Sequence, residues 1–190
     1  MSAKLSILII EDEKNICDFI AAALMNQDYR VFKSYSGMDG LSQITSRCPD
    51  ILLLDLGLPD MDGTDIIRKV RKWSAMPIIV ISARTLENEK VLALDLGADD
   101  YITKPFGTSE LLARIRTAVR HLTRINATNS TSHIFRASGL VIDFDRRRIT
   151  VHEQEVHLTQ VEYKIVSMLA NNSGKVITYD ALISHVWGPY

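Results

Sequence analysis

Three aliphatic runs and one short mixed stretch in this sequence end on side chains suited to phosphate or to a hard cation. Leu5-Ser6-Ile7-Leu8-Ile9-Ile10 runs into Glu11-Asp12-Glu13, and Ile51-Leu52-Leu53-Leu54 runs into Asp55. Pro77-Ile78-Ile79-Val80-Ile81 runs into Ser82, and Asp100-Tyr101-Ile102 leads to Thr103-Lys104-Pro105. Short apolar runs bounded by turn residues read as strands buried on both faces of a parallel sheet. Each polar side chain then stands at the carboxyl end of its strand, where open α/β sheets gather ligands and chemistry.

Alone, each residue has an ordinary reading: a helix-capping Asp, a strand-end Ser, a surface Lys. The set has a narrower one. Glu11, Asp12 and Asp55 in one crevice repel one another unless a cation joins them. Oxygen ligands without His or Cys favour a hard ion such as Mg²⁺. Carboxylates, Mg²⁺, a lysine and a hydroxyl make a phosphoryl-transfer set, in which metal and lysine neutralise charge and Asp55 is the covalent acceptor.

The elements that must position these groups follow from periodicity. Helical spacing of apolar residues covers 15–25, 37–44, 63–73, 86–96 and 109–122. A further short strand covers 29–33. Gly97 closes the fourth helix as its C-cap. Strand and helix alternate five times, so the connections are crossovers and the sheet is parallel. Two other α/β readings fit worse. A haloacid-dehalogenase-type phosphatase wants a second Asp two residues after the first, where this chain has Gly57. A dinucleotide-binding domain wants a glycine-rich turn after the first strand, where Glu11-Asp12-Glu13 would repel a phosphate.

With these residues in view, the first part resembles the receiver domain of two-component response regulators. The likeness rests on Ile9-Ile10-Glu11-Asp12-Glu13, Leu53-Leu54-Asp55, Pro59-Asp60-Met61-Asp62-Gly63, Ile81-Ser82-Ala83-Arg84, Gly97-Ala98-Asp99-Asp100-Tyr101 and Thr103-Lys104-Pro105-Phe106. The resemblance implies a CheY-like, flavodoxin-like doubly wound sheet of five parallel strands. It implies Asp55 as phosphoacceptor from a sensor histidine kinase. Glu11, Asp12, Asp55 and the Gly57 carbonyl would hold Mg²⁺. Ser82 and Lys104 would bind phosphoryl oxygens, and Tyr101 would be the switch aromatic that moves inward behind Ser82. The Lys104-Pro105 bond is typically cis in this family. Such a domain is not an enzyme in the usual sense, but a phosphoacceptor that assists its own phosphotransfer and dephosphorylation. The class dimerises through the fourth helix, fifth strand and fifth helix. By resemblance Lys90 pairs with Glu110, Asp100 with Arg114 and Asp95 with Arg116 across a two-fold axis.

Beyond Leu122 the pattern changes. Residues 123–132 are polar with little periodicity, which reads as a linker between a receiver over 1–122 and a second domain over 133–190. Short strands are expected at 133–136, 140–143, 148–151 and 155–157, with a tight turn at Glu153-Gln154. Thr159 and Glu162 form a capping box for a helix, and Thr178 caps another after a short extended piece at Val176-Ile177. This part resembles the start of the α+β winged-helix domain of the OmpR/PhoB class, through Val156-His157-Leu158-Thr159, Glu162-Tyr163, Asn172-Ser173-Gly174-Lys175-Val176-Ile177-Thr178, Leu182-Ile183 and Val186-Trp187-Gly188. Phrases such as Leu54-Asp55-Leu56-Gly57-Leu58-Pro59-Asp60 and Trp187-Gly188-Pro189 are most similar to the Kdp group of potassium-operon regulators. In the class, the recognition helix and wing follow the position of Pro189. The chain is therefore expected to be C-terminally truncated, with an exposed apolar patch on its last helices. Promoter DNA is a partner only if that module is completed. The alternative is a phosphorylation-dependent dimerisation module that cannot bind DNA.

Composition agrees. The chain has 190 residues, 46% hydrophobic, with net charge -1. There are 15 basic and 17 acidic residues up to Leu122, and 7 and 6 beyond it, so +1 is a weak charge for a DNA-binding module. Cys17 and Cys48 lack metal-ligand spacing and read as buried thiols in a reducing cytosol. Neither a signal peptide nor a membrane-length apolar run is evident, so a cytoplasmic location without a membrane partner is expected.

Overall fold

The computed structural model of the chain describes residues 4–128, 134–173 and 177–188. It divides into two compact units that part between Ala118 and Val119. In chain order the first unit holds β1 (Ser6–Ile10), α1 (Lys14–Met25), β2 (Arg30–Ser34), α2 (Gly37–Arg47) and β3 (Ile51–Leu54). Then come α3 (Gly63–Arg71), β4 (Ile78–Ser82), α4 (Glu87–Asp95), β5 (Asp100–Thr103) and the start of α5 (Thr108–Thr128). The sheet order is β2-β1-β3-β4-β5, parallel throughout.

Every residue of β1, β3 and β4 is buried. Side chains alternate across a strand, so one set faces each layer of helices. Leu8, Ile10, Leu52, Leu54, Ile78 and Val80 share a core cluster with Ile44 of α2, Ile66, Ile67 and Val70 of α3, and Ala93 of α4. The alternate residues Ile7, Ile9, Ile51 and Leu53 are equally buried, as are Ile20 and Leu24 of α1 and Leu111 and Ile115 of α5. Cys17 and Cys48 are both buried, and neither is in a disulfide. Both faces are covered, which is why these strands are continuous aliphatic runs rather than alternating ones. The doubly wound receiver fold is the one expected.

The second unit, taken by itself, is a four-stranded antiparallel sheet of β6 (Ile134–Ala137), β7 (Leu140–Asp143), β8 (Arg148–Val151) and β9 (Gln154–Val156), in sequential order. The helices α6 (Gln160–Asn171) and α7 (Tyr179–Trp187) follow. Its core joins Ile142, Ile149 and Tyr163, with Phe135, Leu158 and Val166 packed against them. The capping box of α6 is complete: Glu162 Oε2 accepts from Thr159 N at 2.7 Å, and Thr159 Oγ1 accepts from Glu162 N at 3.3 Å. Thr178 caps α7 by accepting from Ala181 N at 3.2 Å. Both helices leave large side chains in solvent, with Leu169 48%, Tyr179 81% and Trp187 37% exposed.

Two local expectations need correction. The fifth helix does not stop at Leu122; α5 continues to Thr128, so residues 123–128 are helical rather than aperiodic. Most of those residues are polar, but none is Gly or Pro, and nothing in them stops a helix already under way. The tight turn is at His152-Glu153, not Glu153-Gln154. Both turn residues have positive φ, 48° and 69°, the geometry of a two-residue type I′ hairpin, and Val151 pairs with Gln154 across it. Ile177, the described half of the expected extended piece, is in neither a helix nor a strand. The expected positions 129–133, 174–176, Pro189 and Tyr190 lie outside the described residues.

Candidate functional site

Strand register brings the chemistry together. Ile10 is level with Leu54 in the β1–β3 ladder, so Glu11 and Asp55 leave the sheet side by side. The order 2-1-3-4-5 changes direction between β1 and β3, and that switch point opens a crevice at the carboxyl edge. β5 pairs Thr103 with Ser82, and Lys104 N donates to the Ser82 carbonyl at 2.9 Å. The Lys104-Pro105 peptide is cis. Lys104 Nζ reaches back into the crevice, 2.7 Å from Asp55 Oδ2 and 2.8 Å from Glu11 Oε1. Asp55 Oδ1 accepts from Gly57 N at 3.1 Å. Ligand oxygens of Glu11, Asp12 and Asp55 all lie within 4.8 Å of one another.

The electrostatics suit a cation. Burial pushes the Glu11 carboxyl up to about 7, against the pull of Lys104 and with a further push from Asp55. Burial opposes the charge on Lys104 as well, but its hydrogen bonds to Asp55 and Glu11 outweigh it and hold the ammonium above its ordinary range. Glu11 Oε2 is buried and accepts no hydrogen bond, although Lys104 Nζ lies 2.7 Å away. A buried carboxylate oxygen with spare acceptor capacity, beside two more carboxylates, fits a hard divalent ion. The all-oxygen set therefore fits a metal such as the one the sequence implied.

Ser82 is buried, and its Oγ accepts from Arg84 N at 3.3 Å. The Tyr101 ring packs against the main core, and its hydroxyl donates to the Arg84 carbonyl at 2.9 Å. Burial raises the Tyr101 phenol, and the Ser82 hydroxyl beside it pulls partly back. Lys90 Nζ lies 5.8 Å from the Tyr101 ring centroid, at cation–π distance.

Two loop carboxylates that sequence reasoning left without a role brace the loop that follows Asp55. Asp60 accepts from Gly37 N and Met38 N, each at 2.8 Å, tying the loop after β3 to the start of α2. Asp62 caps α3 through Thr64 N at 2.8 Å and pairs with Arg84 Nη2 at 2.7 Å. Asp-Gly-Thr before an apolar helix face is an N-cap signature, so the cap was legible; the arginine partner 22 residues on was not. Gly63 has a steric reason: a Cβ there would stand 2.5 Å from the Asp55 carbonyl oxygen and 2.7 Å from Leu56 Cα.

Within the chain, the charges assigned to dimerisation are partly engaged already. Arg114 Nη1 lies 2.9 Å from Asp100 and its Nη2 3.3 Å from Glu110. Asp95 and Arg116 are exposed, and the Arg116 charge partly offsets the burial that raises the Tyr29 phenol.

A doubly wound sheet with an Asp–Lys pair at its switch point, followed by a small antiparallel sheet with two helices, defines a receiver joined to an effector unit. The model of the response regulator receiver domain matches residues 7–116, and that of the transcriptional regulatory protein C terminal matches 153–190. The chain is 46% identical to the KDP operon transcriptional regulatory protein KdpE of Escherichia coli, covering 97% of this chain and 80% of that one. It is 40% identical to the response regulator ArlR of Staphylococcus aureus, covering 96% and 80%. The crystal structure of DrrB, an OmpR/PhoB homologue of Thermotoga maritima, superposes with a TM-score of 0.58 at 28% identity, covering 98% of this chain and 82% of that one. The chain belongs to the OmpR/PhoB class of two-component response regulators. Its function is that of a two-component transcription regulator, and its relatives are not enzymes of the usual kind.

Proposed function

We propose that Asp55 is the residue that takes the phosphoryl group, donated by a sensor histidine kinase or by a small acyl phosphate. The observation that carries this reading is the partly buried Lys104 ammonium held 2.7 Å from Asp55 Oδ2. An Asp55 oxygen bonds to phosphorus as the bond to the donor breaks, and the donor leaves with the electron pair. Lys104 is close enough to pass from the carboxylate to a phosphoryl oxygen, and the Ser82 hydroxyl is the donor for another. Glu11, Asp12, Asp55 and the Gly57 carbonyl would hold Mg²⁺, which when bound neutralises charge on the transferring oxygens. The same residues assist loss of the phosphoryl group to water.

Tyr101 is the switch residue, because it touches both the Ser82 hydroxyl and the loop that leads into α4. The output is a homodimer through α4, β5 and α5, using Lys90, Asp95, Asp100, Glu110, Arg114 and Arg116. The second unit then acts on promoter DNA. The protein works in the cytoplasm; among the described residues no helix is long and apolar enough to cross a membrane.

The test is labelling with acetyl phosphate. The unmodified chain gains one acid-stable, base-labile phosphoryl group only when Mg²⁺ is present, and Asp55→Asn gains none while keeping its fold by circular dichroism. Equal labelling of both chains would remove Asp55 from this role. A gel-shift titration on promoter DNA with phosphorylated chain tests the DNA-binding output separately.

A further inference from the structure

Arg84 lies outside the acceptor set, yet it touches most of the parts around it. Its Nη2 donates to Asp62 Oδ2 at 2.7 Å and to the Leu56 carbonyl at 3.3 Å, and its Nη1 faces Glu89 at 3.9 Å. The main chain of the same residue makes two more contacts. Its N–H donates to Ser82 Oγ at 3.3 Å, and its carbonyl accepts the Tyr101 hydroxyl at 2.9 Å. Leu56 directly follows Asp55, and Asp62 is the cap of α3. The guanidinium thus pins the loop after β4 onto the loop after β3, and at the pinned residue the backbone presents the carbonyl that holds Tyr101.

We infer that Arg84 is a positioning residue: its ion pair with Asp62 fixes its own carbonyl, and so sets how firmly the Tyr101 ring is drawn in. This inference rests on the proposed reading of Asp55, Ser82 and Tyr101. A phosphoryl group on Asp55 takes the Ser82 O–H as donor and draws the hydroxyl away from Arg84 N–H, from which Ser82 Oγ accepts. Once Ser82 turns to phosphate, Asp62 and the Leu56 carbonyl are what keep Arg84 in place. A planar fork with two acceptors at fixed angles suits that task better than a flexible ammonium. Arg84 and Asp62 are 32% and 39% exposed, and a pair of this kind shifts a two-state equilibrium by roughly two- to fivefold. That is enough to redistribute Tyr101 between docked and released positions without unfolding the loop.

The experiment uses the full chain labelled with 3-fluorotyrosine, with the Tyr101 signal assigned by Tyr101→Phe and followed by ¹⁹F NMR. Arg84→Met keeps the aliphatic stem and loses the fork. Asp62→Asn keeps an oxygen for Thr64 N–H and loses the charge. Both variants are expected to move the Tyr101 signal toward its position in urea, while the other tyrosine signals stay put. Arg84→Lys, which retains one donor for Asp62, is expected to recover part of the shift. An unmoved Tyr101 signal in Arg84→Met and Asp62→Asn overturns the inference. So does a lysine variant as displaced as the methionine one, since the fork and its charge would then be irrelevant. The signal is read without phosphorylation, so failure of Asp55 labelling would sink the acceptor reading and leave this result standing or falling on its own.

Discussion

Glu11 shows how one residue sets a trade between folding and ligand capture. Its carboxyl is raised from its ordinary 4.5 to about 7 by burial. The folded chain therefore holds a proton that the unfolded chain has lost between those two values. Stability from this group is fully present below about 4.5 and is lost as pH rises through about 7, a cost on the order of 3 kcal/mol. In metal-free buffer, Glu11→Gln is expected to be more stable than the unmodified chain at about pH 8, with the gain vanishing near pH 4.5. Urea melts in chelator at the two pH values check this, and an equal difference at both would mean that Glu11 is not the strained group. Mg²⁺ should reverse the ranking, because it stabilises only the chain that keeps the carboxylate.

At the scale of elements, the loop between β3 and α3 is held by close approach more than by apolar burial. Asp60 ties it to α2, Asp62 ties it to α3 and Arg84, and Gly63 lets it pass under Asp55. Gly63→Ala puts a methyl group against two backbone atoms that cannot swing aside. Overpacking of this sort costs about 1–3 kcal/mol, and here the strain falls on the Asp55 main chain. Gly63→Ala is expected to lower the urea midpoint and slow Asp55 labelling together. Gly107→Ala, with nothing within 4 Å of its Cβ, is the control and should change neither. A Gly63→Ala chain that labels at the normal rate would show that the loop accommodates the methyl group away from the acceptor.

At the scale of the whole molecule, the proposed dimerisation through the α4–β5–α5 face would have to exchange contacts rather than simply add them. Arg114 already pairs with Asp100 and Glu110 in its own chain, so pairing across a two-fold axis releases one partner as it gains another. Exposed pairs contribute about 0–1 kcal/mol each, and the exchange makes the net gain smaller. These charges would thus set orientation and register more than affinity. Because two-fold symmetry counts each change twice, Arg114→Asp is expected to weaken association of phosphorylated chain by roughly tenfold in sedimentation. Adding Asp100→Arg should restore part of it. Association that ignores both changes would place the dimer contact elsewhere, with the exposed Leu169, Tyr179 and Trp187 of the second unit as the first candidates.

The sequence by itself determined the layered sheet and its polar carboxyl edge, because both are written in short-range pattern. Aliphatic runs such as Ile51–Leu54 must be strands covered on two faces, and the residue after each run must leave at the carboxyl edge. Four crossovers then bring Glu11, Asp12, Asp55, Ser82 and Lys104 to one side whatever the details of packing. The capping box at Thr159 was equally local. The end of α5 and the hairpin turn at His152-Glu153 were not so legible. Polar helical residues carry no period, and positive φ at two non-glycine residues leaves no compositional mark. Contacts between loops far apart in sequence were decided only in three dimensions. Nothing in the local pattern says that Arg84 reaches Asp62 rather than solvent, or that Arg114 spends its charge inside its own chain. Such pairs depend on which loops the sheet order sets side by side and on the reach of a long side chain, and both are settled by packing rather than by periodicity.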